Sequence, residues 1–284
     1  MVEPDGFGVQ PVMRRGRRAP GLYPAMRALA RILPAALSIL ALVPGCARSP
    51  SRGTSGVRLV VTLRFAGPIN DNYQYFFLIR NGNDPIGQNG PIPVIQPPYL
   101  NGFATGLNNQ TAAFTDFVEY SRVQRQVTAS GYTLYHLPGG ISGDPNRDVF
   151  EVRGEPDAAQ PPVGGNILHF ELDLGRLQPD SGDPDPNNGQ QPRYLQVNVV
   201  ATTTTPHNPA SVDPNKFLDA FGDQHLGSGS FNAFLTLDAA QIGRTWSSSA
   251  NPGDPTYEPD NDEFPSSGDP AVELTGWTIQ ITRS

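Results

Sequence analysis

The chain of 284 residues has one cysteine, Cys46, so no disulfide forms within it and no paired-cysteine metal or redox site exists. Lys216 is the sole lysine, and no methionine follows Met26. Beyond residue 45 no run of Lys or Arg makes a basic patch, which argues against nucleic acid as a partner. The longest apolar run, Ile32 to Val43, is 12 residues and contains Pro34. A bilayer-spanning helix needs about 20, so that run is too short to cross. HExxH and GxSxG motifs are absent, which removes two common hydrolase signatures. No unit recurs at a fixed period, so a propeller or solenoid is excluded.

The N-terminal region carries the most specific pattern. Met26-Arg27-Ala28-Leu29-Ala30-Arg31 is charged, Ile32 to Val43 is apolar, and Pro44-Gly45 precede Cys46. This is the layout of an export signal with a small-residue cleavage site. With cysteine after the cut, it resembles the lipobox of bacterial lipoproteins. The resemblance implies that Cys46 carries a diacylglyceryl group and becomes the new N-terminus. It also implies a lipid-anchored protein of the cell envelope, on the extracytoplasmic side of a bacterial membrane. Pro44 departs from the residues usual at that position, and Ala47 avoids the Asp that favours inner-membrane retention in some bacteria. Residues 1–25 hold Pro4, Pro11, Pro20 and Pro24 without apolar periodicity, and read as an extension upstream of the signal. Arg14-Arg15 lies about 17 residues before the apolar run, too far for a twin-arginine signal. The expected organisation is extension 1–25, signal 26–45, tether 46–56 and one domain over 57–284. Ten flexible tether residues reach about 16–19 Å.

From Cys46 onward the chain has 14 basic and 25 acidic residues, a net charge of −11. Gly and Pro together make 60 of the 284 residues, below the share that marks low complexity. Val57, Leu59, Val61, Leu63 and Phe65 alternate with Arg58, Thr62 and Arg64, as in a strand with one buried face. Tyr75, Phe77 and Ile79 fall on one side of the next strand and Phe76 and Leu78 on the other, as in a central strand. Between them, Gly67-Pro68-Ile69-Asn70-Asp71-Asn72 is a turn. Residues 84–98 hold five prolines and read as a loop. Further strands are expected at 113–123, 131–137, 148–153, 166–174, 193–204, 230–238 and 272–282. The last places Thr275, Trp277, Ile279 and Ile281 on one face. One short helix is expected at 214–221, with Asp213 as N-cap, Pro214 at its first position and Gly222 past its end. This element list predicts an all-β protein, an antiparallel β-sandwich of jelly-roll or immunoglobulin-like type with long Pro/Gly-rich loops. The break at 178–192 leaves two domains as the alternative to one.

Acidic loops are the first candidate sites. Asp180, Asp183 and Asp185 lie with Asn187 and Asn188, and Asp254, Glu258, Asp260, Asp262 and Glu263 lie together further on. Closely spaced Asp and Asn in turns can supply calcium's oxygen ligands. The Asp183 segment matches the first half of an EF-hand loop, then fails where Asn188 replaces Gly and Tyr194 replaces Glu. A solvated loop is the favoured reading of both segments. His169, Glu171 and Asp173 alternate along a strand, about 6.5–7 Å apart, and diverge from any single tetrahedral centre. They are expected to form a solvent-facing stripe. His136, His207 and His225 are scattered. Tyr73, Tyr75, Tyr99, Phe103, Tyr120, Tyr132, Tyr135, Trp246 and Tyr257 are candidates to stack on sugar rings, against the favoured reading that they fill a core.

The turn and strand from Asn70 to Ile79, with the acidic strand Leu168 to Leu174, resembles DOMON-type and related carbohydrate-binding sandwiches. The resemblance covers about a quarter of the chain. It implies sugar or haem as ligand, but no methionine lies beyond the signal and no two histidines are brought together by spacing. The expected function is a non-catalytic binding or surface-interaction module, with a glycan or protein partner. The alternatives are an extracytoplasmic glycan hydrolase, for which paired carboxylates would be needed, and a structural envelope subunit.

Overall fold

The computed structural model describes residues 55–82, 90–94, 104–105, 114–137, 150–177, 192–205, 215–221, 234–251, 256–259 and 268–284. Two antiparallel sheets face each other across an apolar core. The first contains β1 (Val57–Phe65), β8 (Ala158–Gln160), β9 (Ile167–Asp173), β13 (Thr245–Ser247) and β14 (Leu274–Arg283), in the order β13-β14-β1-β9-β8. The second contains β2 (Gln74–Gly82), β5 (Asp116–Ser121), β6 (Tyr132–His136), β7 (Glu151–Val152), β10 (Tyr194–Thr202) and β11 (Leu218–Ala220), in the order β11-β10-β2-β5-β6-β7. A further strand, β12 (Leu235–Asp238), also pairs with β10. A two-stranded ribbon, β3 (Ile92–Pro93) and β4 (Ala104–Thr105), stands apart from both sheets. Every described residue belongs to one compact unit, Ser49–Ser284.

Sequence pattern accounts for the layering. In β1, Leu59, Val61, Leu63 and Phe65 are buried while Arg64 is exposed. These residues meet Leu168, Phe170 and Leu172 of β9 and Trp277, Ile279 and Ile281 of β14 in one core with the second sheet's inner face. That inner face supplies Tyr75, Phe77, Ile79, Val118, Tyr132, Leu134, Val197 and Val199. Phe76, Leu78, Phe117 and Val200 point the other way, into a second cluster with Ala104, Phe114 and Leu137. The second sheet is therefore buried on both faces, as the two-sided apolar pattern of β2 predicts.

The predicted last strand is shifted at its start. Arg64 pairs with Gly276 but Phe65 pairs with Leu274, so Thr275 is an extra residue in β14. This bulge turns Leu274 inward and leaves Thr275 half-buried, so Thr275 does not continue the face of Trp277.

The helix expected at 214–221 is instead β11 over its second half. Val200 pairs with Ala220 and Thr202 with Leu218. Leu218 and Ala220 join the outer cluster, while Phe221 enters the main core against Trp277. Burial on both faces and a partner for β10 outweigh helix propensity, which differs by only tenths of a kcal/mol per residue. Asp213, Pro214 and Gly222 lie outside the described residues.

The helix present among the described residues is α1 (Arg122–Val127), where the sequence pattern extended a strand to 123. Ser121 is its N-cap and accepts from the backbone N–H of Gln124. The Ser-x-x-Gln spacing is a helix-start signal. Here the Gln124 side chain goes elsewhere. It donates to Glu119 at 3.1 Å and Tyr135 at 2.7 Å, and accepts from Thr133 at 2.6 Å. Burial pushes the Glu119 carboxyl above its usual range, against the bonds from Ser121 and Gln124. The chain leaves α1 through Gly131 at φ 83°, where a Cβ would fall 2.8 Å from the Tyr120 ring.

The first strand is fastened where the chain enters it. Asp173 accepts from the Ser55 N–H at 2.8 Å, the Ser55 hydroxyl at 2.7 Å and the Gly175 N–H at 2.8 Å. Burial raises the Asp173 pKa, but these bonds and one from Gly56 outweigh it and hold the carboxyl below its usual range. A depressed carboxylate contributes stability that is present above the unfolded pKa of about 4 and lost as pH falls through the folded value. Asp173→Asn is therefore expected to flatten the fall of Tm between pH 5 and pH 2. Parallel curves for parent and variant would contradict the arrangement.

Candidate functional site

β1 runs from the entry point at Ser55 toward the opposite end of the sandwich, nine residues or about 30 Å away. At that far end the β1–β2 turn, α1 and the turn before β14 border a shallow, largely open cleft of about 750 Å³. Its lining is Pro68, Ile69, Asn70, Asp71 and Asn72 from the first turn, Arg122, Arg125 and Gln126 from α1, and Ala271.

The turn is held from several sides. The Asn72 N–H donates to the Asn70 side chain at 3.0 Å, an Asx turn. The Ile69 N–H donates to the Gly165 carbonyl at 2.9 Å and the Asn70 N–H to the Tyr75 hydroxyl at 3.0 Å. Tyr75 in turn donates to the Ala271 carbonyl at 2.9 Å, joining the two turns. Tyr73 donates to Asp269 at 2.6 Å. The acceptor Asp269 and partial burial both raise the Tyr73 pKa. Burial raises those of Tyr75 and Tyr120, and Asp71 raises that of Tyr120 further. All three phenols thus stay neutral donors at physiological pH.

Asp71 is the carboxylate among the described lining residues. One of its oxygens accepts from the Tyr120 hydroxyl at 2.8 Å and the other from Arg125. Its charge is paired with Arg125, and each of its oxygens already holds one donor. Arg122 differs, because its guanidinium makes one hydrogen bond, to the Asn72 side chain at 3.2 Å, and is exposed. The surface of α1 around it is unusual. Val123 and Val127 are 63% and 73% exposed, while the polar Gln124 is buried.

Cys46, Asp180, Asp183, Asp185, Asn187, Asn188, Asp254, Asp260, Asp262, Glu263, His207, His225, Tyr99 and Phe103 lie outside the described residues. Glu258 is buried and accepts from the Trp277 indole at 2.8 Å, inside the fold and away from a solvated loop. Among the described residues no group of three His, Cys, Asp or Glu could hold a metal ion.

The polar stripe on β9 is a set of structural bonds. His169 is 2.9 Å from the Thr62 hydroxyl and Glu171 pairs with Arg58 at 2.9 Å. Asp173 is not solvent-facing, because it is the buried acceptor that fastens the chain entry. His136 is also buried, with Nδ1 2.8 Å from Asp116, a cross-strand pair the sequence did not single out.

The aromatic residues divide. Tyr75, Tyr120 and Tyr132 are core, with Tyr120 and Tyr132 rings 4.9 Å apart. Tyr135 stacks on Phe117 at 4.8 Å. Trp246 packs against the core and carries the Arg244 guanidinium over its ring at 4.9 Å, so that face is occupied. Tyr257 is half-buried and bridges to Ser249. Comparison of the chain with family models, with curated proteins and with solved structures gives no match.

Proposed function

We propose that the chain is an exported, lipid-anchored protein of a bacterial cell envelope whose sandwich is a non-catalytic binding module. The observation that supports this reading is the placement of the cleft at the end of β1 opposite the entry at Ser55. A domain tethered through Cys46 and residues 47–56 would hold this cleft about 30 Å farther from the membrane than its own base. The cleft would then face a glycan or a protein partner.

Two alternatives have less support. Glycoside hydrolysis uses two carboxylates about 5–9.5 Å apart, one of them poised as an acid. The described cleft residues offer Asp71, and both its oxygens are engaged. A subunit assembled by strand addition would need a long open edge, yet among the described residues the edge strands β7, β8, β11, β12 and β13 are two to four residues long.

Metabolic labelling with a fatty acid tests the anchor. The parent chain is expected to take up label and sediment with membranes, and Cys46→Ser to lose both. Label retained by Cys46→Ser would overturn the reading.

A further inference from the structure

We propose that the cleft between the Asn70–Asn72 turn and α1 binds a carboxylate-bearing sugar, with Arg122 as the residue that pairs with the carboxylate. The proposal rests on the binding-module reading above and names the ligand class for that cleft.

Charge inside the cleft comes first. Asp71 and Arg125 form an ion pair and offset each other. Arg122 has no carboxylate partner among the described residues and leaves one uncompensated positive charge. Arg58, Arg153, Arg176 and Arg193 each pair with a carboxylate; Arg64, Arg244 and Arg283 share the lack of one among the described residues, and Arg122 differs from them in lining the cleft. A guanidinium offers a planar fork of donors that fits a carboxylate through two parallel bonds. One such charge calls for one carboxylate per bound unit, not for a dense polyphosphate.

The remaining lining fits the rest of a sugar. Asn70 and Asn72, whose side-chain oxygens already accept from the Asn72 N–H and from Arg122, bring amide NH2 donors, and Gln126 brings an amide that both donates and accepts, as ring hydroxyls require. Pro68, Ile69 and Ala271 supply apolar surface for the CH groups of a ring. The volume, about 750 Å³, lies in the range of small-ligand sites. Because the turn is fixed by its bonds to Gly165 and Tyr75, and Tyr75 by its bond to the Ala271 carbonyl, the turn's backbone needs little ordering on binding.

The net charge of −11 beyond residue 45 does not oppose this. Charges more than about 8 Å away are screened at physiological ionic strength, so the carboxylate meets mainly Arg122, the Asp71–Arg125 pair and Asp269, whose carboxylate lies behind the wall and accepts from the Ala271 N–H and the Tyr73 hydroxyl. A flexible acidic peptide could also offer carboxylates. The three amides and the fixed, shallow apolar wall favour a rigid ring bearing hydroxyls.

The test is binding of the full chain in detergent to polygalacturonate fragments, with neutral malto-oligosaccharides and polyglutamate as comparison probes. Binding to polygalacturonate alone is expected, weakened at least tenfold by Arg122→Gln and by Gln126→Ala, and unchanged by Arg193→Gln at the other end of the sandwich. Thermal unfolding of each variant checks that it is folded. Equal binding of malto-oligosaccharides, preferential binding of polyglutamate, no binding of polygalacturonate, or binding unaffected by Arg122→Gln would each overturn the proposal and leave the binding-module reading standing. Release of new reducing ends from the probe would instead overturn the non-catalytic reading.

Discussion

Phe77→Ala is expected to destabilise the domain by about 3–5 kcal/mol, the usual cost of truncating a buried aromatic in a core that cannot collapse around the gap. Phe77 is 1% exposed and meets Phe170 of the facing sheet edge-to-face, with ring centroids 5.5 Å apart. Its neighbours in register are Val118 and Val199, so the hole would open in the middle of a three-strand patch. In urea the midpoint should fall with the slope unchanged, because the unfolded surface is the same. For a domain of this size each kcal/mol shifts Tm by about 2–4 °C. Phe76→Ala provides the contrast. A sheet open to solvent on its outer face would lose little there, but Phe76 is 3% exposed and packs on Phe117 at 5.9 Å. A loss of several kcal/mol is expected for Phe76→Ala as well, while Val163→Ala, at a site 86% exposed, should stay within about 0.5 kcal/mol. If Phe76→Ala behaved like Val163→Ala, the outer cluster would not be a core.

The parts of this fold legible in the sequence are those where periodicity is long. β1, β2, β9, β10 and β14 each run seven to ten residues; β1, β9 and β14 carry an alternation, and β2 and β10 are runs buried on both faces. β8 and β13 are not legible as such, because three residues hold no period, whereas β7 falls inside the strand expected at 148–153. Lys216 to Phe221 was misread as helix because capping signals are local and the demand of β10 for a partner is not. The reverse holds at Ser121-Arg122-Val123-Gln124, where a helix-start signal was present and the preceding apolar strand masked it. The site was half legible. Asn70-Asp71-Asn72 is turn chemistry on its face. Arg122 and Arg125 lie some fifty residues later, and only the pairing of β2 with β5 brings them to that turn. The contact of Asp116 with His136 likewise depends on the β5–β6 register.

That pair carries the second large effect. Asp116 is fully buried at the end of the sandwich opposite the cleft. One carboxyl oxygen lies 2.8 Å from His136 Nδ1, and the other accepts from the Thr115 hydroxyl at 2.8 Å and the Asn81 amide at 3.4 Å. The Asn81 amide also donates to the Leu177 carbonyl at 2.6 Å, just past β9 of the facing sheet. The cluster therefore laces β2, β5 and β6 to the opposite layer at one end, as the Tyr75 bond to Ala271 does at the other. Asp116→Ala would leave these donors buried without that acceptor, at about 1–3 kcal/mol each when no water can replace it. A total loss of about 3–5 kcal/mol is expected, in line with breaking a buried hydrogen-bonded network at its shared acceptor. Asp116→Asn keeps the shape but turns one acceptor into a donor, so it should fall between parent and alanine. The double variant Asp116→Ala with His136→Ala should be more stable than the sum of the single effects predicts, since it removes a donor together with its acceptor. Additive losses in that cycle, read from urea midpoints, would show that His136 and Asp116 do not act as a unit.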